Sequence, residues 1–549
     1  MCLARLLPLK TRRIAAPPGT RAARCRQSGP AAPALGRWWA LLAGRKLLPA
    51  LLIVLTALLT GCEGRSAPTA EDNPGAPRPN VIFILVDTLR ADRLGCYGHR
   101  GRLSPMMDEL AQEGVLFEQA IATSPWTLPS VASFFCGYYP TVHKVTSYQQ
   151  ALESARGIGG RVRYFGDEFT TLAEVLQANG YVTAGFSANP FITAKYGFAQ
   201  GFDHFDASFA ANTTLGNIVN EAAVRWLDQR DPSRPFFLYL HYMDVHDPYK
   251  ASEVYVEPLV RAMESMPDKR RLTPEETGRH QRFFTKSAIA YQNVPRHRRL
   301  FQYADYWVAR YDAGVPQSSQ YLSELRATLQ KMKLWDDAYV ILTADHGESL
   351  GEHLLWAHGL SAHQDQLHVP LILRWPQGLP AGKRIAPTVR LFDIMPTLLE
   401  QLKIAPTEKL QARSLLGLIR GETNRSLLAF AEAVKKKPGQ KAVVLDEWKL
   451  LAHTEAGRYE LYNLRDDPTE QRDLAARFPE RVAELQQWLD RQMAENQALG
   501  AGTRVRHADV TEEELRRFQA LGYLEGDDEE DGNTARAAEE PSEPESTRP

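Results

Sequence analysis

Cysteine is scarce in this chain. Only Cys2, Cys25, Cys62, Cys96 and Cys136 occur among 549 residues, too few and too scattered for a disulfide framework or a four-ligand zinc cluster. If the chain is cut before Cys62, only Cys96 and Cys136 remain in the folded part, and two buried thiols are expected rather than a bridge. An excess of one charge is missing too. There are 65 basic and 66 acidic residues, a net charge of −1, and no stretch interleaves aromatics with Lys and Arg, so nucleic acid is not an expected partner. Nor does any apolar run reach the roughly 20 residues of a comfortable membrane span. The nearest approach, LLPALLIVLTALLTG at 47–61, has fifteen.

That run marks the N-terminus as different from the rest. Residues 1–46 contain no acidic residue, and Arg45 and Lys46 precede the apolar stretch in the manner of a secretory signal. Leu59-Thr60-Gly61-Cys62 resembles the lipobox of bacterial lipoproteins, in which the cysteine is acylated and becomes the mature N-terminus. The resemblance implies export into a bacterial cell envelope and membrane attachment through lipid on Cys62, each buried methylene contributing about 0.8 kcal/mol. A signal anchor is the alternative. Residues 1–62 are therefore read as an export segment and 63–78, rich in Gly, Ser, Ala and Pro, as a linker. Residues 526–549, acidic and rich in Pro and Ser, are read as a disordered tail.

The chain as a whole is 44% hydrophobic and 24% charged, enough for one large domain and a smaller one. Val81-Ile82-Phe83-Ile84-Leu85-Val86 is a continuous apolar run, the pattern of a strand covered on both faces. Phe236 to Leu240, Tyr339 to Thr343 and Val369 to Leu373 repeat it, and helical patterns lie between them at 104–113, 171–179 and 318–332. Alternating strands and helices predict an α/β fold, a mostly parallel central sheet sandwiched by helices, over 79–424. Short strand-like runs followed by an amphipathic stretch at 479–493 predict a small C-terminal α+β subdomain over 425–525. Charged residues 250–310 read as an insertion, either a solvated excursion or a segment at the mouth of a site.

In such sheets ligands gather at the carboxyl ends of strands. Asp87 follows the first run, His241, Asp244 and His246 follow the second, and Asp345 and His346 follow the third. Two carboxylates and an imidazole suit a divalent cation, Ca²⁺ first, with Mg²⁺, Mn²⁺ or Zn²⁺ as other occupants.

Six ordered blocks carry a wider resemblance: NVIFILVDTLRADRLGCYG at 80–98, SPWTLPSVASFFCG at 124–137, LHYMDVHDPY at 240–249, the stretch 342–359, LFDIMPTL at 391–398 and ELYNLRDDPTE at 460–470. Together they resemble the sulfatase family within the alkaline-phosphatase-like superfamily. A late block, ELRRFQALGYL at 514–524, is similar to bacterial members. The resemblance implies a metal-dependent hydrolase of sulfate or phosphate esters acting on a small-molecule or glycan substrate. It places metal ligands on Asp87, Asp345 and His346 and a histidine touching the ester and leaving group on His246. The basic residue after the Asp-His-Gly loop becomes His358, with His353 and His363 as nearby extras.

Three positions depart from the family. The adjacent second aspartate is Thr88. The residue matured to formylglycine in the Cys-x-Pro-Ser-Arg motif is Thr127, and the motif's arginine is Val131. Threonine is not expected to be converted, and an ordinary Thr sulfate ester cannot collapse as a hydrated aldehyde does. A metal-activated Thr127 hydroxyl, itself a ligand, can still attack, as in superfamily relatives that move phosphoryl and phospho-headgroups. Three readings follow: an ester hydrolase, a phosphodiesterase or phospho-headgroup transferase acting on cell-envelope substrates, and an inert binding protein. Ser124, Ser130 and Ser133 are competing nucleophiles, with Ser130 expected to bond backbone at a helix start before Val131 to Phe135.

Overall fold

The computed structural model describes residues 78–146, 148–149, 161–211, 216–291, 293–434 and 439–520. The export segment, all of the linker except Arg78, the acidic tail and the end of the 514–524 block lie outside these residues.

The apolar runs become strands for the reason their composition suggests. β1 (Val81–Val86) is buried at all six positions. With β2 (Val115–Ile121), β3 (Val182–Ser187), β4 (His204–Asp206), β5 (Phe236–Tyr242), β6 (Tyr339–Thr343), β7 (His368–Arg374), β8 (Lys383–Ile385) and β9 (Val389–Arg390) it forms a nine-stranded sheet. The spatial order is β8-β2-β7-β6-β1-β5-β3-β4, with β9 also on β2. β7 runs antiparallel to both its neighbours, while the other pairings are parallel. The sheet is thus mostly parallel, as its buried runs required.

Parallel register has a direct consequence for chemistry. Leu85 of β1 is aligned with His241 of β5 and with Thr343 of β6, and Ser187 of β3 is aligned with the same His241. Four strands therefore end side by side, and whatever follows them converges at one edge.

The helices are α1 (Pro105–Glu113), α2 (Thr127–Cys136), α3 (Leu172–Ala178), α4 (Glu253–Glu264), α5 (Gln281–Ala290), α6 (Ala304–Lys331), α7 (Pro479–Leu499) and α8 (Glu512–Ala520), with shorter ones between. α3 is capped by Thr171 and Glu174 in a reciprocal box, satisfying two end N–H groups. α6 is nearly twice as long as the pattern at 318–332 suggested. Its first half buries Tyr306, Trp307, Arg310, Tyr311 and Gly314, so it has no polar face to reveal a helical period. α2 begins at Thr127, not after Ser130. Pro129 sits in its first turn, where a missing N–H costs nothing.

The C-terminal part holds a four-stranded antiparallel sheet, β10 (Ala429–Ala433), β11 (Gln440–Leu445), β12 (Trp448–His453) and β13 (Arg458–Asn463), followed by α7. Cys96 and Cys136 are free thiols; Cys136 is buried and Cys96 half-buried. No helix among the described residues is long and apolar enough to cross a membrane.

Candidate functional site

Asp87, one residue past β1, and Asp345 and His346, two and three past β6, meet at the sheet edge with all three side chains fully buried. His346 Nε2 lies 3.4 Å from Asp345 Oδ2 and 3.8 Å from Asp87 Oδ1. Its other nitrogen, Nδ1, donates to the Gly347 carbonyl at 2.8 Å, which leaves the Nε2 lone pair facing the carboxylates.

Each carboxylate has one oxygen committed to the protein. Asp87 Oδ2 accepts from Asn189 Nδ2 at 2.7 Å and lies 3.0 Å from His241 Nε2. Asp345 Oδ1 accepts the N–H groups of Thr88 at 3.3 Å and His346 at 3.0 Å. The remaining oxygens, Asp87 Oδ1 and Asp345 Oδ2, are buried with no hydrogen-bond partner among the described residues. Two such oxygens facing one imidazole nitrogen are costly to leave unsatisfied. A single divalent cation satisfies all three, so the residues present fit one.

The electrostatics agree. Burial pushes both carboxyls up. For Asp87 this is outweighed by the His241 hydrogen bond and by the charges of His246, His241 and His346, which bring it down to about 2. For Asp345, burial and then the charge of Asp87 push it up to about 6. The charge of Asp87 thus raises the Asp345 carboxyl, a repulsion that a cation would relieve.

Thr127 opens α2, and its Oγ1 lies 3.2 Å from His346 Nε2, at a helix N-terminus where the backbone dipole favours negative charge. The three neighbouring serines are committed elsewhere. Ser124 Oγ donates to the Glu432 carbonyl at 2.8 Å, Ser130 Oγ to the Asp345 carbonyl at 2.6 Å, and Ser133 Oγ bonds His143 Nε2 at 3.0 Å. Ser130 is therefore inside the helix and ties it to the Asp345 loop instead of capping its start. Thr88 has turned its hydroxyl onto the Asp87 carbonyl at 2.7 Å. Val131 is fully buried.

His358 lies between two other imidazoles, with ring centroids 4.6 Å from His346 and 4.9 Å from His246. Glu348, fully buried, accepts from His358 Nδ1 at 3.1 Å and from the Tyr249 hydroxyl at 3.2 Å. His246 Nδ1 donates to the Asp247 carbonyl at 2.6 Å. Burial lowers the pKa of His246, against the pull of Asp87.

Not every expected residue joins. Asp244 accepts from Gly216 N and Gln317 Nε2, and burial raises it to about 6. His353 and His363 stack at 3.7 Å beside Glu470, but Lys449 Nζ already stands 2.6 Å from Glu470 Oε1. Glu253, Glu257 and His297 also cluster, with Arg310 on Glu253 at 3.0 Å and Arg296 on Glu257. In both places a protein cation occupies the carboxylates.

The insertion lies against the site. Phe283 packs on Tyr249 and Trp356 with ring centroids 6.0 Å from each, Trp356 Nε1 donates to Glu276 at 3.1 Å, and Lys286 Nζ donates to Asp247 at 2.6 Å. These contacts brace the loops carrying His246 and His358. Asn189, like Glu348, is a residue around the site to which the pattern reading gave no role. Its signal was the run Val182–Ser187, which ends two residues before it.

The family model described as Sulfatase matches residues 79–404, and one described as N-sulphoglucosamine sulphohydrolase, C-terminal, matches 351–498. Among curated proteins, the chain is 22% identical to an arylsulfatase K of Xenopus laevis over 75% of this chain and 82% of that one. It is 23% identical to an N-acetylglucosamine-6-O-sulfatase of Bacteroides thetaiotaomicron, over 80% and 90%. Among solved structures, one protein in complex with its substrate D-glucosamine-2-N,6-O-disulfate matches with a TM-score of 0.62 at 20% identity, covering 77% of this chain and 98% of that one. The phosphonate monoester hydrolase of Agrobacterium radiobacter matches with a TM-score of 0.58 at 21% identity, covering 76% and 96%.

Proposed function

The chain belongs to the sulfatase family, and from that membership we propose that it hydrolyses a sulfate or phosphate ester with Thr127 as the attacking group and a divalent cation held by Asp87, Asp345 and His346. The observation that carries the reading is the placement of Thr127 Oγ1 3.2 Å from His346 Nε2, beside two carboxylate oxygens without partners among the described residues.

When bound, the cation supplies Lewis acidity that lowers the pKa of a hydroxyl in contact with it and offsets the charge of the ester. The protein's part is positional and protonic. α2 presents the Thr127 hydroxyl, its dipole favours the developing alkoxide, and Thr127 Oγ1 attacks sulfur or phosphorus in line with the leaving oxygen. That S–O or P–O bond breaks as His246 or His358, having taken the Thr127 proton, passes it to the departing alcohol. Water then attacks the same sulfur or phosphorus, freeing Thr127 and inorganic sulfate or the phosphate product. Glu348 on Nδ1 of His358 fixes the orientation of that ring.

Thr127 and Val131 together favour giving phosphorus esters equal standing with sulfate. The family's aldehyde chemistry is not open to threonine, and Val131 adds no fixed positive charge where the motif has its arginine. Turnover of aryl sulfate, phosphate monoesters and phosphodiesters by the metal-loaded chain tests this. At least one class is expected to react; activity on phosphodiesters with none on sulfate would remove the sulfatase reading, and no activity with metal bound would favour a binding role.

Export and lipidation at Cys62 are part of the proposal and rest on Leu59 to Cys62. Labelled palmitate is expected to be incorporated by the parent and not by Cys62→Ala. Equal labelling of both would refute the lipobox.

A further inference from the structure

We propose that Phe518, on the C-terminal helix α8, is a positioning residue for the cation site, because its stack on Phe191 holds Asn189 against Asp87. The inference rests on the reading that Asp87, Asp345 and His346 take a divalent cation.

A carboxylate ligand must turn one oxygen to the cation and keep it there. Asp87 does so because Oδ2 is held by Asn189 Nδ2 and His241 Nε2, at 2.7 and 3.0 Å. His241 is anchored within β5 by ladders on both sides. Asn189 lies beyond β3, in a turn, and depends on what the turn packs against. The turn is closed locally: Asn189 N–H donates to Ser187 Oγ at 3.2 Å, and Asn189 Oδ1 accepts the N–H of Phe191 at 2.9 Å. The position of Phe191 therefore bears directly on the amide that orients Asp87.

Phe191 packs against the rings of Trp126, Tyr196 and Phe518. Trp126 meets it edge-on with centroids 5.8 Å apart, and Trp126 immediately precedes Thr127. Phe518 covers its face, with centroids 4.2 Å apart and planes at 21°. Phe518 is the fully buried position of residues 511–518, the others being exposed or half-buried. A second fastening lies one turn earlier in α8, where Glu514 takes Lys195 Nζ at 2.5 Å and the Tyr196 hydroxyl at 3.3 Å. Thus α8 attaches to the segment that continues from Asn189. The chain's late block, which no step of the chemistry uses, acquires a role as a clamp reaching both a cation ligand and the nucleophile's helix.

The full-length chain, stripped with EDTA and titrated with Mn²⁺ by electron paramagnetic resonance, tests the clamp. Groups that orient a metal ligand change affinity by about 10–100-fold. Asn189→Ala is expected at that level, Phe518→Ala at about 10-fold, and Phe518→Leu, which keeps the apolar contact, close to the parent. Glu514→Gln, at a half-exposed tether that spares the core, is expected to weaken Mn²⁺ by about threefold while leaving the thermal midpoint in EDTA unchanged. It decides the matter if Phe518→Ala does not fold. Affinities for Phe518→Ala and Glu514→Gln within about twofold of the parent, with Asn189→Ala weakened, would overturn the clamp alone. An unweakened Asn189→Ala would overturn the orienting role at its root. A parent that binds no divalent cation would overturn the metal reading and the clamp with it, a result distinct from the other two.

Discussion

Thr127→Ala is expected to lower kcat by about 10³-fold or more while leaving cation affinity within a few-fold of the parent. The loss is large because nothing nearby can substitute. Ser124, Ser130 and Ser133 point to the Glu432 carbonyl, the Asp345 carbonyl and His143, so none of these three hydroxyls is aimed at the cluster. The fold should survive. Thr127 is the first residue of α2, its side chain caps no backbone group, and alanine keeps the Cβ. Thr127→Ser, which restores the oxygen without the methyl, should recover measurable turnover. Single-turnover kinetics check both, and Thr127→Ala retaining more than about a tenth of the parental kcat would remove Thr127 from the nucleophile's place.

Removing the cation is expected to abolish turnover, with a pH signature that identifies the ligands. Metal-free Asp345 is held up to about 6 by burial and by the charge of Asp87, while Asp87, at about 2, is already ionised. Binding must displace the Asp345 proton. Affinity should therefore rise about tenfold per pH unit below about 6 and level off above it. The sign for stability runs the opposite way in the stripped protein. A carboxyl whose pKa is higher folded, about 6, than its ordinary 3.8 stabilises the fold below that window and ceases to do so as pH rises through about 6. Bound cation reverses the trend, because it stabilises the native state by mass action most where it binds most tightly. Calorimetric titration at pH 5, 6 and 7, on the parent and on Asp345→Asn, checks this. A pH-independent affinity in the parent would mean that Asp345 is not the protonated ligand.

Asp87, Asp345 and His346 were legible because each follows an unbroken apolar run, and a buried parallel strand can only deliver its next residues to the sheet edge. The same logic placed His241 there but also offered Asp244, which the chain turns back onto Gly216 and Gln317. Asn189 escaped because Val182–Ser187 contains Thr, Gly and Ser and is a weaker apolar run. The first half of α6 escaped because burial on all sides erases helical periodicity. Residues 250–310 read with equal ease as a solvated excursion. Phe283, Lys286 and Glu276 face inward onto Tyr249, Asp247 and Trp356, and charge content alone does not reveal which side of a helix is covered.

The sequence by itself determined the fold class and the family to which the chain belongs, and it offered Thr127 as the residue proposed to attack. Those features are local in spacing and identity. Tertiary structure alone decided which oxygen of each carboxylate stays open, which hydroxyl of four faces His346, and that a phenylalanine near the C-terminus braces the first strand's aspartate. Each of those outcomes is a competition for hydrogen bonds or van der Waals contact among groups 100 to more than 300 positions apart. Such competitions are settled only when the sheet brings the strand ends together.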